Sequence, residues 1–215
     1  MNHAADDLRP DVLACERPSR RPAHRGPGGL LSVVVPCHNE EAVVDATHAR
    51  LVAALDGVGM EIEVVYVDDG SRDATLARLE AIAARDARAI VVEFSRNFGQ
   101  QAAMSAGLAQ TRGDAVVIID ADLQDPPELV TVMLERLLAP GCRADAVLAC
   151  KRSHRGGLLL ALGRALYYRL LAFGTRSQGT PAGFHGFGVY RSEVVLEALE
   201  LWRHTAVGLR QALAR

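Results

Sequence analysis

Several features that would place a chain in a familiar class are missing here. Lys151 is the only lysine, against 23 arginines, a bias that carries no functional content. The four cysteines, Cys15, Cys37, Cys142 and Cys150, form no C-x-x-C pair and no metal-type spacing. Four in a chain this long do not build a disulfide framework, so a reducing compartment is the simpler reading. No run approaches ~18 uncharged apolar residues, the length of a membrane-spanning helix. The most apolar stretch, Gly157–Gly174, is broken by Arg164 and Arg169. Residues 1–29 lack the apolar centre of a signal peptide. Neither G-x-G-x-x-G after the first strand nor G-x-x-x-x-G-K-[ST] occurs, which disfavours a dinucleotide fingerprint and a P-loop. No G-x-S-x-G marks a nucleophilic serine. His38, His48, His154, His185 and His204 show no metal-ligand spacing and read as structural or solvated.

What is present is an ordinary globular composition over 215 residues, 49% hydrophobic and 23% charged. At ~100–200 residues per domain this allows one domain with appendages. The net charge of −2 conceals an uneven distribution. Residues 30–150 carry nine arginines and nineteen acids, net −10, whereas residues 151–215 carry ten basic residues and three acids, net +7. A basic nucleic-acid-binding body is excluded by that pattern.

Residues 1–29 hold four prolines and end in Gly-Pro-Gly-Gly, and read as a disordered lead. From Leu30 strands and helices alternate. Apolar, β-branched runs at Leu31–Val35, Glu61–Val67, Ala89–Phe94, Ala115–Ile119 and Ala144–Ala149 predict strands. Helical periodicity fills Glu40–Leu55, Asp73–Arg85, Gln100–Thr111 and Pro127–Leu138. Fully apolar strands in a βαβα rhythm predict an α/β fold, a mostly parallel sheet with helices on both faces. Further on, Leu158–Phe173 is apolar on most of its circumference, Phe184–Tyr190 reads as a late strand, and Ser192–Leu201 as a helix capped by Ser192.

Ligands of parallel sheets bind outside the carboxyl ends of the strands, and the polar residues collect there. The first strand ends in Pro36-Cys37-His38-Asn39-Glu40-Glu41, the second in Asp68-Asp69-Gly70-Ser71, the third in Ser95-Arg96-Asn97-Phe98-Gly99. The fourth ends in Asp120-Ala121-Asp122-Leu123-Gln124-Asp125. Any one of these also reads as a turn former or helix cap, and Asp125 reads as the cap of the Pro127 helix. If the chain stays extended past Asp120, residues 120, 122 and 124 point to one side. Two carboxylates and an amide oxygen would then meet, a hard-oxygen set suited to Mg²⁺ or Mn²⁺ and to substrate phosphates.

The strings P-x-x-N-E-E, V-D-D-G-S-x-D-x-T, S-R-N-F-G-x-x-A-A and D-A-D-L-Q-D-P-P-E, in that order, closely resemble the family-two glycosyltransferases of GT-A (Rossmann-like) fold. Within them the chain looks like the branch of dolichol-phosphate mannose synthase and bacterial polyprenyl-phosphate sugar transferases, from about Leu31 to about Leu199. The resemblance implies a GT-A domain over residues 30–202. It implies inverting transfer of a sugar from a UDP- or GDP-sugar to a polyprenyl phosphate, with Mg²⁺ or Mn²⁺. By the same resemblance Pro36, Asn39, Glu40, Asp68, Asp69, Asn97 and Asp120 would bind the nucleotide-sugar, with Asp68 beside the base. Asp120, Asp122 and Gln124 would hold the metal and form the catalytic set. Arg152 and Arg155 would face the acceptor phosphate, a task suited to the guanidinium fork; a solvated loop is the plainer reading of that pair. The segment 156–174 then reads as a membrane-interface helix, and as an ordinary buried helix otherwise.

Two departures stand out. Where many relatives carry G-D-F-R-L-M, this chain has His185-Gly186-Phe187-Gly188-Val189-Tyr190, as some members of the branch do. Relatives usually continue into C-terminal transmembrane helices, so residues 203–215 read as the remnant of a truncated or soluble form. The location implied is peripheral, on the cytoplasmic face of the plasma membrane; a homo-oligomer is compatible with it. Three alternatives compete. A non-catalytic binding protein would retain the site without turnover. A hydroxyl-acceptor enzyme would need a base, for which Asp125 is the nearby spare carboxylate. A phospho-receiver would need its acid pair after the first strand, and here the pair follows the second.

Overall fold

The computed structural model describes residues 8–9, 29–151 and 184–204. The predicted lead, apart from residues 8–9 and 29, lies outside the described residues, as do the predicted interface helix 156–174, Arg152, Arg155 and residues 205–215. The strands are β1 (Leu8–Arg9), β2 (Leu30–Cys37), β3 (Glu61–Asp68), β4 (Ala89–Glu93), β5 (Ala115–Ile118), β6 (Ala146–Lys151) and β7 (Phe184–Arg191). The helices are α1 (Val44–Leu55), α2 (Thr75–Arg85), α3 (Gln100–Gln110), α4 (Glu128–Leu138) and α5 (Ser192–His204).

β-branched side chains favour the pleated backbone, and successive residues of a strand face opposite ways. Leu31, Val33 and Val35 of β2 therefore join one apolar layer with Leu51, Leu79, Met133 and Leu137 of α1, α2 and α4. Val34 joins the other layer, with Met104 and Leu108 of α3 and Val195 and Leu199 of α5. Both faces are covered, as uninterrupted apolar strands require. Gly107 lets α3 approach closely: a Cβ there would lie 2.5 Å from Val34 Cγ1 and 3.0 Å from Val67 Cγ2.

The strand order is β1-β6-β7-β5-β2-β3-β4. β5, β2, β3 and β4 are mutually parallel. The sheet is mostly parallel, as expected from sequence. The strand read at Ala144–Ala149 runs Ala146–Lys151, and β7 separates it from β5, pairing antiparallel with both: Val189 faces Val117 on one side and Val147 on the other. Periodicity reveals that a strand exists but not which edges it pairs with. Because β7 reverses between them, β6 still runs the same way as β5. Its C-terminal end, and the start of β7, therefore reach the same edge as the ends of β2, β3 and β5. Near that edge the register slips: Leu148 faces Gly188 and Cys150 faces Phe184, two steps on β6 against four on β7. Such bulges recur beside active sites.

The opposite edge is tied by charge. Glu63, 3% exposed, accepts from Ser32 Oγ at 2.6 Å and from the Arg112 N–H at 2.8 Å, and pairs with the Arg112 guanidinium at 2.8 Å. Burial alone would raise its pKa, but the hydrogen bonds from Ser32 and Arg112 outweigh that and hold it below the usual carboxylate range.

Candidate active site

A cleft of about 310 Å³ opens at the C-terminal edge of β2, β3 and β5. Pro36, Glu40, Asp69, Asn97, Asp120 and Asp122, each singled out by sequence, line it. Asn39, Asp68 and Gln124 are not on its wall.

Asn39 sits at φ +57°, a left-handed conformation that asparagine tolerates. Its Oδ1 accepts the Arg72 N–H at 2.9 Å and its own N–H donates to Ser71 Oγ at 3.0 Å. It clamps the loop after β2 to the loop after β3. In that second loop the two acids divide the work. Asp68, 1% exposed, accepts the Ser71 N–H at 3.1 Å and shapes the turn. Asp69 faces the cleft, and its carboxylate accepts the Phe98 and Gly99 N–H groups at 2.7 and 2.9 Å. The sequence reading put Asp68 beside a nucleotide base; the acid that lines the cleft is Asp69. Gly70, at φ +61°, is required between them and the third loop, because a Cβ there would lie 2.3 Å from the Arg96 carbonyl carbon.

The chain does not stay extended past Asp120. It turns at Ala121 and Asp122, and Leu123 has φ +60°. Asp122 Oδ1 accepts the Gln124 N–H at 3.0 Å, closing a local turn of the kind aspartate favours. Asp120 and Asp122 reach the cleft together because of this turn rather than by strand alternation, and Gln124 is carried off its wall. Pro127, not Asp125, occupies the cap position of α4, with no side-chain cap bond, and Asp125 is buried at 5% exposure.

Four carboxylates line the cleft, those of Glu40, Asp69, Asp120 and Asp122. Burial raises the pKa of Glu40, and the fields of Asp122, Asp73 and Asp120 raise it further, against a smaller opposing effect of His38. Acids gathered in this way are the setting in which a hard cation is favourable, and the oxygen donors fit Mg²⁺ or Mn²⁺. Among the described residues no group of three or more His, Cys, Asp or Glu forms a metal cage. Mg²⁺ commonly binds through one or two carboxylates, completing its shell with water and substrate phosphates.

Sequence reading missed several cleft residues. Cys37 lines the wall, but burial pushes its thiol far up, so it stays protonated and is no nucleophile. His38, read as structural or solvated, also lines the wall. Gln100, the first residue of α3, donates from Nε2 to Asp120 Oδ1 at 2.9 Å. The available signal for Gln100 was position alone: the helix after a parallel strand starts at the ligand-binding edge.

The fold and the cleft are those of a glycosyltransferase, and the chain belongs to one family of them: residues 32–198 match Glycosyl transferase family 2. It is 39% identical over 142 residues to the uncharacterized glycosyltransferase YkcC of Bacillus subtilis, covering 66% of this chain and 43% of that protein. It is 49% identical over 111 residues to the undecaprenyl-phosphate 4-deoxy-4-formamido-L-arabinose transferase of Pseudomonas aeruginosa, covering 51% and 33%. It is 42% identical over 125 residues to the bactoprenol glucosyl transferase of Shigella phage SfX, covering 58% and 40%. The chain thus spans less than half the length of these relatives. Among solved structures, glucosyl-3-phosphoglycerate synthase of Mycobacterium tuberculosis, crystallised with Mn²⁺, UDP-glucose and phosphoglyceric acid, matches with a TM-score of 0.57 and 26% identity, over 89% of this chain and 73% of that one. A mannosyltransferase of Pyrobaculum calidifontis, crystallised with GDP-Man and Mn²⁺, shares the fold with a TM-score of 0.55 and 21% identity, over 88% and 52%. The GT-A architecture and the glycosyltransferase class expected from sequence are both borne out.

Proposed function

We propose that this domain transfers a sugar, with inversion, from a UDP- or GDP-sugar to a polyprenyl phosphate, with Mg²⁺ or Mn²⁺ as cofactor. The observation that carries the reading is the meeting of Asp120 and Asp122 with Glu40 in one cleft at the ligand-binding edge. The names of the relatives at 42% and 49% identity support the lipid phosphate as acceptor.

Asp120 and Asp122 would hold the divalent ion, which when bound supplies charge neutralisation for the departing nucleoside diphosphate. Gln100 orients Asp120 by its hydrogen bond. Asp69 and Asn97 would contact the nucleoside, with Pro36 and Glu40 on the wall after β2; Asn39 and Asp68 would act on the donor through the loops they clamp. A lipid phosphate monoester has its second pKa near ~6 and attacks the anomeric carbon already deprotonated, so no general base is needed. A hydroxyl acceptor would need one, and the burial of Asp125 weighs against that reading. β6 delivers Lys151 to the cleft edge, and Arg152 and Arg155, the acceptor pair of this proposal, follow it in sequence. The same reading places the domain peripherally on the cytoplasmic face of the plasma membrane. No helix among the described residues is long and apolar enough to cross a membrane.

The test is a thermal-shift panel of UDP- and GDP-sugars with and without Mn²⁺. One nucleotide should raise the melting temperature far more with Mn²⁺ than without it, and Asp122→Ala should abolish the metal-dependent part. Full metal-dependent stabilisation in Asp122→Ala would sink the metal assignment.

A further inference from the structure

His38 touches three strand-end loops at once, and its contacts fix its tautomer. The Arg72 N–H donates to Asn39 Oδ1 at 2.9 Å. This sets the Asn39 carboxamide with its nitrogen toward His38 Nε2, at 3.1 Å. An amide NH₂ only donates, so Nε2 accepts and carries no proton. The ring proton therefore sits on Nδ1, whose partner at 2.9 Å is the Asp69 carbonyl oxygen, which only accepts. Two independent contacts give the same tautomer. The third follows from it. Asn97 Nδ2 lies 3.0 Å from Nε2, and a bare Nε2 requires the nitrogen, not the oxygen, of that carboxamide to face the ring. The Asn97 carbonyl oxygen is then turned away from the ring, on a residue that lines the cleft.

We propose that His38 is a positioning residue whose Nδ1-protonated ring links the loop after β3 to Asn97, so that the Asn97 carbonyl oxygen is presented to an N–H or O–H group of a nucleotide's base or ribose. This rests on reading the cleft as a nucleotide-sugar site. Asp69 anchors the link from below: its carbonyl takes the ring proton while its carboxylate holds the Phe98 and Gly99 N–H groups, so the two peptides that follow Asn97 are held by the same residue.

Two substitutions separate the ring's two ends. In His38→Asn the side-chain nitrogen reaches the Nδ1 position and keeps a donor for the Asp69 carbonyl, but nothing accepts from Asn97. In His38→Gln the longer side chain brings a carbonyl oxygen to the Nε2 position and restores that acceptor. Titration calorimetry with UDP and with GDP, each with Mn²⁺, should show His38→Asn binding the preferred nucleotide about tenfold more weakly, the loss expected for one or two oriented hydrogen bonds. His38→Gln should recover most of that loss, and His38→Asn should add little in an Asn97→Ala background. Equal affinities in the two His38 variants, or fully additive effects with Asn97→Ala, overturn the proposal. Nitrogen-15 NMR of the wild-type ring at neutral pH needs no variant and no ligand. A protonated Nδ1 with a bare Nε2 is the expected result, and the opposite tautomer overturns the link. A wild-type protein that binds neither nucleotide would instead overturn the nucleotide-sugar reading, with the ring tautomer still deciding the role of His38.

Discussion

At the scale of single residues, the buried ionisable groups make stability pH-dependent away from the cleft. His48 is buried between two helices and the sheet, with Nδ1 2.8 Å from Tyr66 Oη and Nε2 3.2 Å from Asp86 Oδ2. Burial keeps the Tyr66 phenol protonated, so its O–H donates to Nδ1, and the ring proton on Nε2 points at the carboxylate. Burial lowers the His48 pKa, and Asp86 only partly opposes this. The unfolded chain therefore takes up a proton at this site that the folded chain resists. Stability is complete above the unfolded value, near ~6.5, and falls as the pH drops from there toward the lower native value. The slope reaches at most about 1.4 kcal/mol per pH unit. Urea midpoints measured at pH 7.5, 6.5 and 5.5 should fall more steeply in the wild type than in His48→Gln; parallel lines would contradict this account. Glu63 acts with the same sign in a more acidic window. Its lowered pKa means that it stabilises the fold above about pH 4.3, and that this contribution is lost only in stronger acid.

At the scale of elements, helices beneath the cleft hold its loops. Thr47, buried in α1, places Oγ1 2.6 Å from the Ala121 carbonyl and 3.0 Å from the Val43 carbonyl. The first contact joins α1 to the middle of D-A-D. Thr47→Val keeps the shape and removes the hydroxyl, leaving the Ala121 carbonyl without that donor. The expected cost in stability is about 1–2 kcal/mol, one buried hydrogen bond with its acceptor left behind. Under the proposed function the larger effect should be on metal-dependent nucleotide affinity, since the loop that carries Asp120 and Asp122 loosens; a several-fold rise in dissociation constant is expected by calorimetry. An affinity unchanged beside the stability loss would show that α1 supports the sheet but not the site. By contrast, the Arg50–Glu128 pair between α1 and α4 is solvent-exposed on both sides and contributes under about 1 kcal/mol. α3 supports the site in another way. Its small residues and Gly107 let it lie close on β2 and β3, which sets Gln100 at the height of Asp120.

At the scale of the whole molecule, the sheet brings the end of the acidic stretch of the chain and the start of the basic one to the edge that carries the cleft. The acidic stretch, net −10 over residues 30–150, includes the strand-end carboxylates of the cleft. The basic stretch, net +7 over residues 151–215, begins where β6 ends, at the same edge. Near an anionic membrane each exposed basic residue contributes about 1 kcal/mol of attraction. Under the proposed function, replacing Arg152 and Arg155 together by alanine should reduce transfer to a lipid phosphate by tenfold or more. Calorimetric binding of the nucleoside diphosphate should stay within about twofold, since phosphate contacts made by arginine are charge-assisted and local. Equal loss of both would argue against an acceptor role for the pair.

The sequence by itself determined the element types, the apolar faces and the strand ends where chemistry collects, because side-chain periodicity and β-branching are local properties. It also determined the family, since the strand-end strings stand in the family's order. Only the tertiary structure decided the rest. β7 enters between β5 and β6 through pairing across some 70 residues, which no local pattern encodes. Asp69 rather than Asp68 faces the cleft, because Asp68 is drawn into its own turn by the Ser71 N–H. Asp120 and Asp122 converge through a left-handed turn at Leu123 that removes Gln124. His38 takes its role from three partners on three loops, two of which are brought to it only when parallel strands align their ends.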